Sequence, residues 1–195
     1  MGLDSVELLM QMEEYFNIHI PNAEAETIST VKKMVDCIAK HLNVTSVDRK
    51  LYDWLYQKLE SALMKLQLIT TSLQPDSFIF QLLQPNEHQQ WQALEQLLEL
   101  GIPRPQVSMP KQKKFVASII NAIGWSPFYD SQTITVEQFI TAICAHNSQA
   151  LINPNHIDNL YEIYVAVVAI TVEKIGVDVY EVTPYKSFTD DLGID

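Results

Sequence analysis

Three features of the sequence predict an all-α protein. Only 5 of the 195 residues are glycine, and apolar residues, which make up 47% of the chain, recur mostly at helical spacing. No segment shows the alternation of apolar and polar residues that is typical of a half-buried strand. The length suits one large or two small domains, and the apolar content is sufficient for well-packed cores.

The first two predicted helices lie in the N-terminal quarter of the chain. Residues 3–16 contain an apolar face, after which Ile20-Pro21 predicts a turn. The members of that face are Leu3, Val6, Leu9 or Met10, and Phe16. Residues 30–41 form the second predicted helix, with Ser29 or Thr30 as its N-cap.

Three further helices are predicted in the middle of the chain. Residues 50–66 have the apolar periodicity of a long helix, and Ser46 or Asp48 is its expected N-cap. Residues 86–100 and 135–146 show the same periodicity over shorter lengths.

The last predicted helix spans residues 157–175. It follows the segment Asn-Pro-Asn at 153–155, which is expected to interrupt helical structure. Its apolar run, 163–170, is flanked by Glu162 and Glu173 and is too short to span a bilayer. Because no charged segment followed by an apolar run begins the chain, no secretory signal is predicted, and a cytoplasmic location is expected.

The net charge of −11 excludes some partners and favours others. An acidic chain does not bind phosphate backbones, so nucleic acid is not an expected partner, whereas basic proteins are. Cys37 and Cys144 lie in apolar helical patterns, and neither has a metal-ligand neighbour at a spacing that we interpret as useful, so both are predicted to be small buried hydrophobes. No nucleophile–base pair, Gly-rich phosphate loop or metal-ligand cluster is present, and the chain is not predicted to be an enzyme.

An internal repeat connects the C-terminal segment with the middle of the chain. At an offset of 109 residues, Leu51-Tyr52-Asp53 aligns with Leu160-Tyr161-Glu162, and Pro75 aligns with Pro184 without a gap. Amphipathic helices align with one another easily, so the proline and the Leu-Tyr-acid start give the alignment its specificity.

Two further offsets connect the N-terminal segment with the middle. At 84 residues, Phe16-Asn17-Ile18 aligns with Leu100-Gly101-Ile102, and at 105 residues Thr30-Val31 aligns with Thr135-Val136. The offset grows because the middle copy contains a helical insertion near 109–129.

The three alignments predict two modules in a circularly permuted order. One module is split and consists of residues 1–44 plus 158–195. The other, degenerate module spans residues 50–147 and contains the insertion.

Several segments carry a family resemblance when the C-terminal piece is read before the N-terminal piece. They are residues 182–184 with 187–195, then 6–16 with 20–21, then 24–31. In this order they resemble the loop before the cofactor site, the second helix, and the third and fourth helices of acyl carrier proteins. The predicted architecture is therefore a pair of acyl-carrier-protein-like helical bundles.

The resemblance implies a protein that carries acyl groups as thioesters on 4′-phosphopantetheine, in fatty-acid or related biosynthesis. The family attaches this arm to a serine that follows an aspartate at the start of its second helix, where the helix N-terminus favours the phosphodiester. The implied partners are a phosphopantetheinyl transferase and acyl-transferring or synthase enzymes with basic docking patches. The corresponding docking residues are Asp4, Glu7, Glu13 and Glu14.

Two registers place the attachment residue differently. Read forward, Gly2-Leu3-Asp4-Ser5 resembles the family's Gly-x-Asp-Ser and makes Ser5 the attachment site. Counted back from Ile20-Pro21, the serine position falls on Gly2, which has no hydroxyl group to modify. The register that places the serine position at Gly2 keeps the apolar face of the helix intact, and the sequence therefore favours it.

Two functions follow from these registers. The chain is either a working carrier or a non-modified pseudo-carrier that acts as a protein–protein interaction or structural module. In the degenerate module residues 84–91 contain no serine; His88 is expected on the surface and Trp91 in the core. The two pieces of the split module are expected to pair, either within one chain or between chains in a swapped homodimer.

Overall fold

The computed structural model describes residues 3–84, 87–104 and 133–194, and within these ranges the protein is all-α, as predicted. The six predicted helices all occur, with ends shifted by at most three residues. The helices are α1 Leu3–Phe16, α2 Asn22–Ala25, α3 Val31–Leu42, α4 Lys50–Lys65, α5 Ile79–Leu82, α6 His88–Leu98, α7 Val136–His146, α8 Ser148–Leu151 and α9 Leu160–Ile175, followed by a 3₁₀ helix, Val179–Glu181.

The buried face of α1 differs from the predicted one. Leu8, Met12 and Phe16 are 3%, 0% and 3% exposed, and they form a stripe with four-residue spacing on a helix that packs against α9. Val6 and Met10 are 40% and 60% exposed. The prediction that Val6 belongs to the apolar inner face is therefore wrong, because the inner stripe begins two residues later.

Three of the long helices begin at a side-chain cap. Thr30, Thr135 and Asn159 each accept a hydrogen bond from the backbone N–H three residues later, at 3.3, 3.2 and 2.9 Å. Gln138 also accepts a hydrogen bond from the Thr135 N–H, which completes a capping box. The caps satisfy N–H groups that have no partner within the helix.

Arg49 occupies the N-cap position of α4. The prediction that Ser46 or Asp48 caps this helix is therefore wrong. Its side chain serves tertiary packing instead. The guanidinium donates to Glu137 Oε1 of α7 at 2.7 Å and lies 5.1 Å from the ring centroid of Tyr161 on α9. One cation thus joins the starts of α4, α7 and α9.

α9 lies at the centre of the packing. It contacts α1 and α3, which are N-terminal in sequence, and also α4 and α7 from the middle of the chain. This explains why its sequence is apolar on nearly every side. Its buried residues are Tyr161, Ile163, Val165, Ala166, Val167, Val168, Ile170 and Thr171. The N- and C-terminal segments therefore pack on each other within one chain.

A short backbone pairing, here called the terminal clasp, ties residues 184–188 to residues 29–32 at the start of α3. Its hydrogen bonds run from Val31 N–H to Lys186 O, from Lys32 N–H to Pro184 O, and from Phe188 N–H to Ser29 O, at 3.1, 2.7 and 3.1 Å. Thr30 and Ser187 form the antiparallel bridge at its centre.

A second pairing, the middle clasp, ties residues 75–79 to residues 134–137 at the start of α7. Its hydrogen bonds run from Val136 N–H to Ser77 O, from Glu137 N–H to Pro75 O, and from Ile79 N–H to Ile134 O, at 2.8, 3.0 and 2.9 Å. The antiparallel bridge is Phe78 with Thr135. Each bond corresponds to one of the terminal clasp at the sequence offsets of 105 and 109 residues.

The ends of α1 and α6 also resemble each other, but in a different register from the expected one. Asn17 after α1 and Glu99 after α6 both have left-handed backbone conformations, with φ of 49° and 54°. Ile20-Pro21 and Ile102-Pro103 then follow at equal distances, and both isoleucines are buried. Equivalent features are thus 82 residues apart rather than 84.

Several sequence predictions lie outside the described residues. These are the insertion near 109–129, Gly2 and the terminal Asp195. The division into two modules and the circular permutation stay predictions. Across the described ranges, every helix is too short or too polar to cross a lipid bilayer.

Candidate functional site

Ser5 is the third residue of α1, and its side chain is half-buried beside the exposed Asp4. The first backbone N–H groups of a helix lack helical acceptors and carry partial positive charge. An alcohol on this first turn therefore suits a phosphodiester, and the residues present fit a 4′-phosphopantetheine arm in this respect. The arm would supply a thiol that holds an acyl group as a thioester.

Asp191 holds the loop 187–194 in place. When the C-terminal piece is read before the N-terminal piece, this loop comes directly before α1. The Asp191 carboxylate accepts the Ser187 N–H at 2.8 Å and the Lys186 ammonium at 3.1 Å. These two contacts, the backbone one foremost, hold the pKa of Asp191 below its usual range. The Ile194 N–H donates to Phe188 O at 2.9 Å, past Gly193 with φ of 72°.

Two of the four predicted docking acids serve as internal ties. Glu7 accepts a hydrogen bond from the Lys174 ammonium of α9. Glu13 accepts the Ile20 N–H at 2.6 Å and lies 2.9 Å from His19 Nδ1, so it holds the turn after α1. Their carboxylates are therefore already engaged by the protein.

The other two acids are exposed on what we call the outer face of α1, which consists of Asp4, Val6, Met10 and Glu14. The two apolar members of this face lie between the two acids in sequence. Met10 also lines a groove of about 370 Å³ that extends to Lys174. Exposed apolar side chains with acids around them are typical of protein interaction surfaces.

The stretch 84–91, which the sequence alignment predicts to be equivalent to the start of α1, contains a histidine and a tryptophan and no serine. His88 is exposed at the start of α6, as predicted. Trp91 is 2% exposed, and its indole N–H donates to Gln84 O at 3.0 Å, which confirms it as a core residue.

One cluster of potential metal ligands was not predicted from the sequence. Both cysteines are buried, as expected, but Cys37 lies with His41 and Glu24 in a group whose ligand atoms are all within 4.8 Å of one another. Cys37 and His41 are four residues apart on α3, and this spacing was a readable signal. Glu24 lies on α2 and is brought to them only by the tertiary fold.

Comparison with known proteins finds a similarity over part of the chain. A stretch of 40 residues is 51% identical to the acyl carrier protein of Rubrobacter xylanophilus, covering 20% of this chain and 49% of that protein. An equally long stretch is 51% identical to the acyl carrier protein of Cyanidioschyzon merolae and covers 44% of it. A segment of this chain is similar to acyl carrier proteins.

The similarity to acyl carrier proteins has a limited extent. The chain spans about half the length of the curated relatives it matches. No protein-family model matches the chain, and no solved structure matches it.

Proposed function

We propose that the protein is an acyl carrier rather than a catalyst, with 4′-phosphopantetheine on Ser5 and the outer face of α1 as its docking surface. The observation that carries the proposal is the place of Ser5, next to exposed Asp4 in the first turn of a helix. The similarity to acyl carrier proteins supports a role of Ser5 as attachment site, because a serine in the first turn of a helix is by itself commonplace.

The proposal includes a circularly permuted carrier module, made of residues 1–44 and 158–195, beside a degenerate copy, 50–147. The two clasps support this arrangement. In the middle clasp the paired segments belong to one continuous stretch of chain, whereas in the terminal clasp they come from opposite ends. The same set of hydrogen bonds in both is what two copies of one module, one of them permuted, would make.

Basic enzymes of acyl transfer are the proposed partners of the outer face. Asp4 and Glu14 supply the charge, and Val6 and Met10 supply apolar contact area. Glu7 and Glu13 are less available for docking because Lys174 and the turn after α1 already engage them. We therefore propose that Asp4 and Glu14 are the acids that recognise the partner.

A non-modified pseudo-carrier is the second candidate function. It is favoured by the half-buried side chain of Ser5 within a helical turn and by the register that places the family's serine at Gly2. In this case the outer face of α1 still binds a partner, but no arm is attached.

The deciding experiment is the intact mass of the protein after incubation with coenzyme A, Mg²⁺ and a broad-specificity phosphopantetheinyl transferase. We expect wild type to gain the mass of one phosphopantetheine and Ser5→Ala to gain none. Ser61→Ala, which removes an exposed serine from α4, is the matched control and keeps the gain.

A third variant separates the two registers. If Gly2→Ser with Ser5→Ala gains the arm and folded wild type does not, the pseudo-carrier is correct and the carrier proposal fails. Circular dichroism on each variant shows whether the helical fold is kept.

A further inference from the structure

Three potential metal ligands meet where α2 packs against α3. Cys37 is 7% exposed, and the side chains of Glu24 and His41 are 23% and 24% exposed. Their ligand atoms, one per residue, all lie within 4.8 Å of one another, and His41 Nε2 is 2.9 Å from Glu24 Oε2. The group is therefore partly shielded from water and still reachable from solvent.

The spacing suits a tetrahedral metal ion. Zinc binds sulfur at about 2.3 Å and nitrogen or oxygen at about 2.0–2.2 Å, so ligand atoms around it are about 3.3–3.6 Å apart. In the cluster, the nitrogen and oxygen are 2.9 Å apart and no pair of ligand atoms is more than 4.8 Å apart. An ion placed among the three atoms is therefore within reach of all three.

We propose that Glu24, Cys37 and His41 form a zinc-binding site that fastens α2 to α3. This inference is independent of the carrier function. A thiolate, an imidazole and a carboxylate are ligands that zinc prefers, and the two negative charges balance the divalent ion. On binding, the Cys37 S–H bond breaks, its proton passes to solvent, and a water molecule takes the fourth position.

Lys40 is the competitor of the metal. Its ammonium lies 2.7 Å from Glu24 Oε1, so the carboxylate is ion-paired in the absence of zinc. The metal must share or displace this cation, whose positive charge opposes the ion. Replacing Lys40 by Met is therefore expected to increase zinc affinity several-fold.

The degenerate module provides an internal comparison. At the offset of 105 residues, His146 of α7 corresponds to His41, but Ala142 stands where Cys37 would be. The histidine alone is thus common to both α3 and α7, and the thiol is specific to α3. His146→Ala and Cys144→Ala are accordingly matched controls for His41→Ala and Cys37→Ser.

The test is a Co²⁺ titration of the untagged full chain after chelator treatment, followed by absorption spectroscopy. We expect one Co²⁺ per chain, with a thiolate-to-cobalt charge-transfer band and tetrahedral visible bands that Zn²⁺ abolishes. Cys37→Ser should lose the charge-transfer band, and His41→Ala and Glu24→Gln should weaken Co²⁺ binding at least tenfold. Lys40→Met should tighten it, and both matched controls should leave it unchanged.

The inference is overturned if folded wild type gives no charge-transfer band at millimolar Co²⁺. It is equally overturned if the band persists in Cys37→Ser or disappears only in Cys144→Ala. Because Glu24→Gln and Lys40→Met alter only exposed or half-buried polar groups, they keep the test decisive even if Cys37→Ser unfolds.

Discussion

Asp191 shows at the residue scale how one carboxylate holds a loop, residues 187–194, in place. It accepts hydrogen bonds from the Ser187 backbone and the Lys186 ammonium, and its pKa is lowered by both. The folded protein therefore releases the Asp191 proton more readily than the unfolded chain. The resulting stability is present above the usual carboxyl pKa and is lost as the pH falls through the lowered value.

We predict that Asp191→Ala lowers the free energy of unfolding at neutral pH by roughly 0.5–1 kcal/mol, less than is usual for a hydrogen bond to a charged group, because the carboxylate is partly exposed and screened by solvent. The difference from wild type should shrink below about pH 4, where the unfolded chain begins to bind the proton. Urea unfolding from pH 7 to pH 2.5 measures it. Asp190→Ala, next along the same loop, is the control, and an equal loss there would contradict the role of Asp191.

The burial of individual residues could be predicted from the sequence, but their tertiary neighbours could not. The burial of Cys37 and Trp91 was predicted correctly, because apolar periodicity places both on inner helix faces. The residues that surround Cys37 were not predicted, because Glu24 lies on another helix and reaches Cys37 only in the folded protein. The roles of Glu7 and Glu13 were likewise hidden, since Lys174 is 167 residues away from the first and the turn geometry decides the second.

At the scale of the element, helix caps differ in what they stabilise. Thr30 caps α3 on an exposed surface, whereas Asn159 is 1% exposed and caps α9, around which the molecule packs. Asn159 also donates to Asp158 Oδ1 at 2.9 Å. Loss of Asn159 therefore removes a cap and leaves the N–H of the half-buried Glu162 without its side-chain acceptor.

We predict that Thr30→Ala costs about 1 kcal/mol of unfolding free energy and that Asn159→Ala costs about 2 kcal/mol. Chemical denaturation monitored by circular dichroism gives both values. Ser61→Ala inside α4 serves as the control and should change stability by less than about 0.5 kcal/mol. Equal costs for the two caps would show that the burial of Asn159 has no energetic consequence.

Helix positions were predictable at this scale because amphipathic periodicity is a local property. The N-cap of α4 was not, because Arg49 occupies it for contacts with Glu137 and Tyr161, which lie far along the chain. The inner face of α1 was misread for a related reason. Two overlapping apolar stripes exist on this helix, and only the packing against α9 determines that Leu8, Met12 and Phe16 are the buried ones.

At the scale of the whole molecule, α9 couples the two predicted modules. It contacts α1 and α3 of one and α4 and α7 of the other, and the buried residues form a continuous apolar cluster. Because both sets of helices pack on α9, loss of either set exposes buried residues of the same central helix, and this favours unfolding as one cooperative unit.

We therefore predict a single cooperative thermal transition for the full chain, with equal calorimetric and van't Hoff enthalpies. Differential scanning calorimetry makes the measurement. Tyr161→Phe, a change on the α9 side that faces α4 and α7, should shift the whole transition, as should Phe188→Ala in the terminal clasp. Two resolved transitions, with each variant shifting only one of them, would instead mean two independent folding units.

The terminal clasp also has a consequence for the order of events during synthesis. Residues 29–32 are synthesised long before their partners, 184–188. The middle clasp closes a much shorter loop and can form while translation continues. Until α9 is complete, the stripe of Leu8, Met12 and Phe16 has no helix to pack against. While the residues between α1 and α9 are translated, the nascent chain thus exposes an apolar stripe, and we expect chaperones that hold apolar helices to bind it.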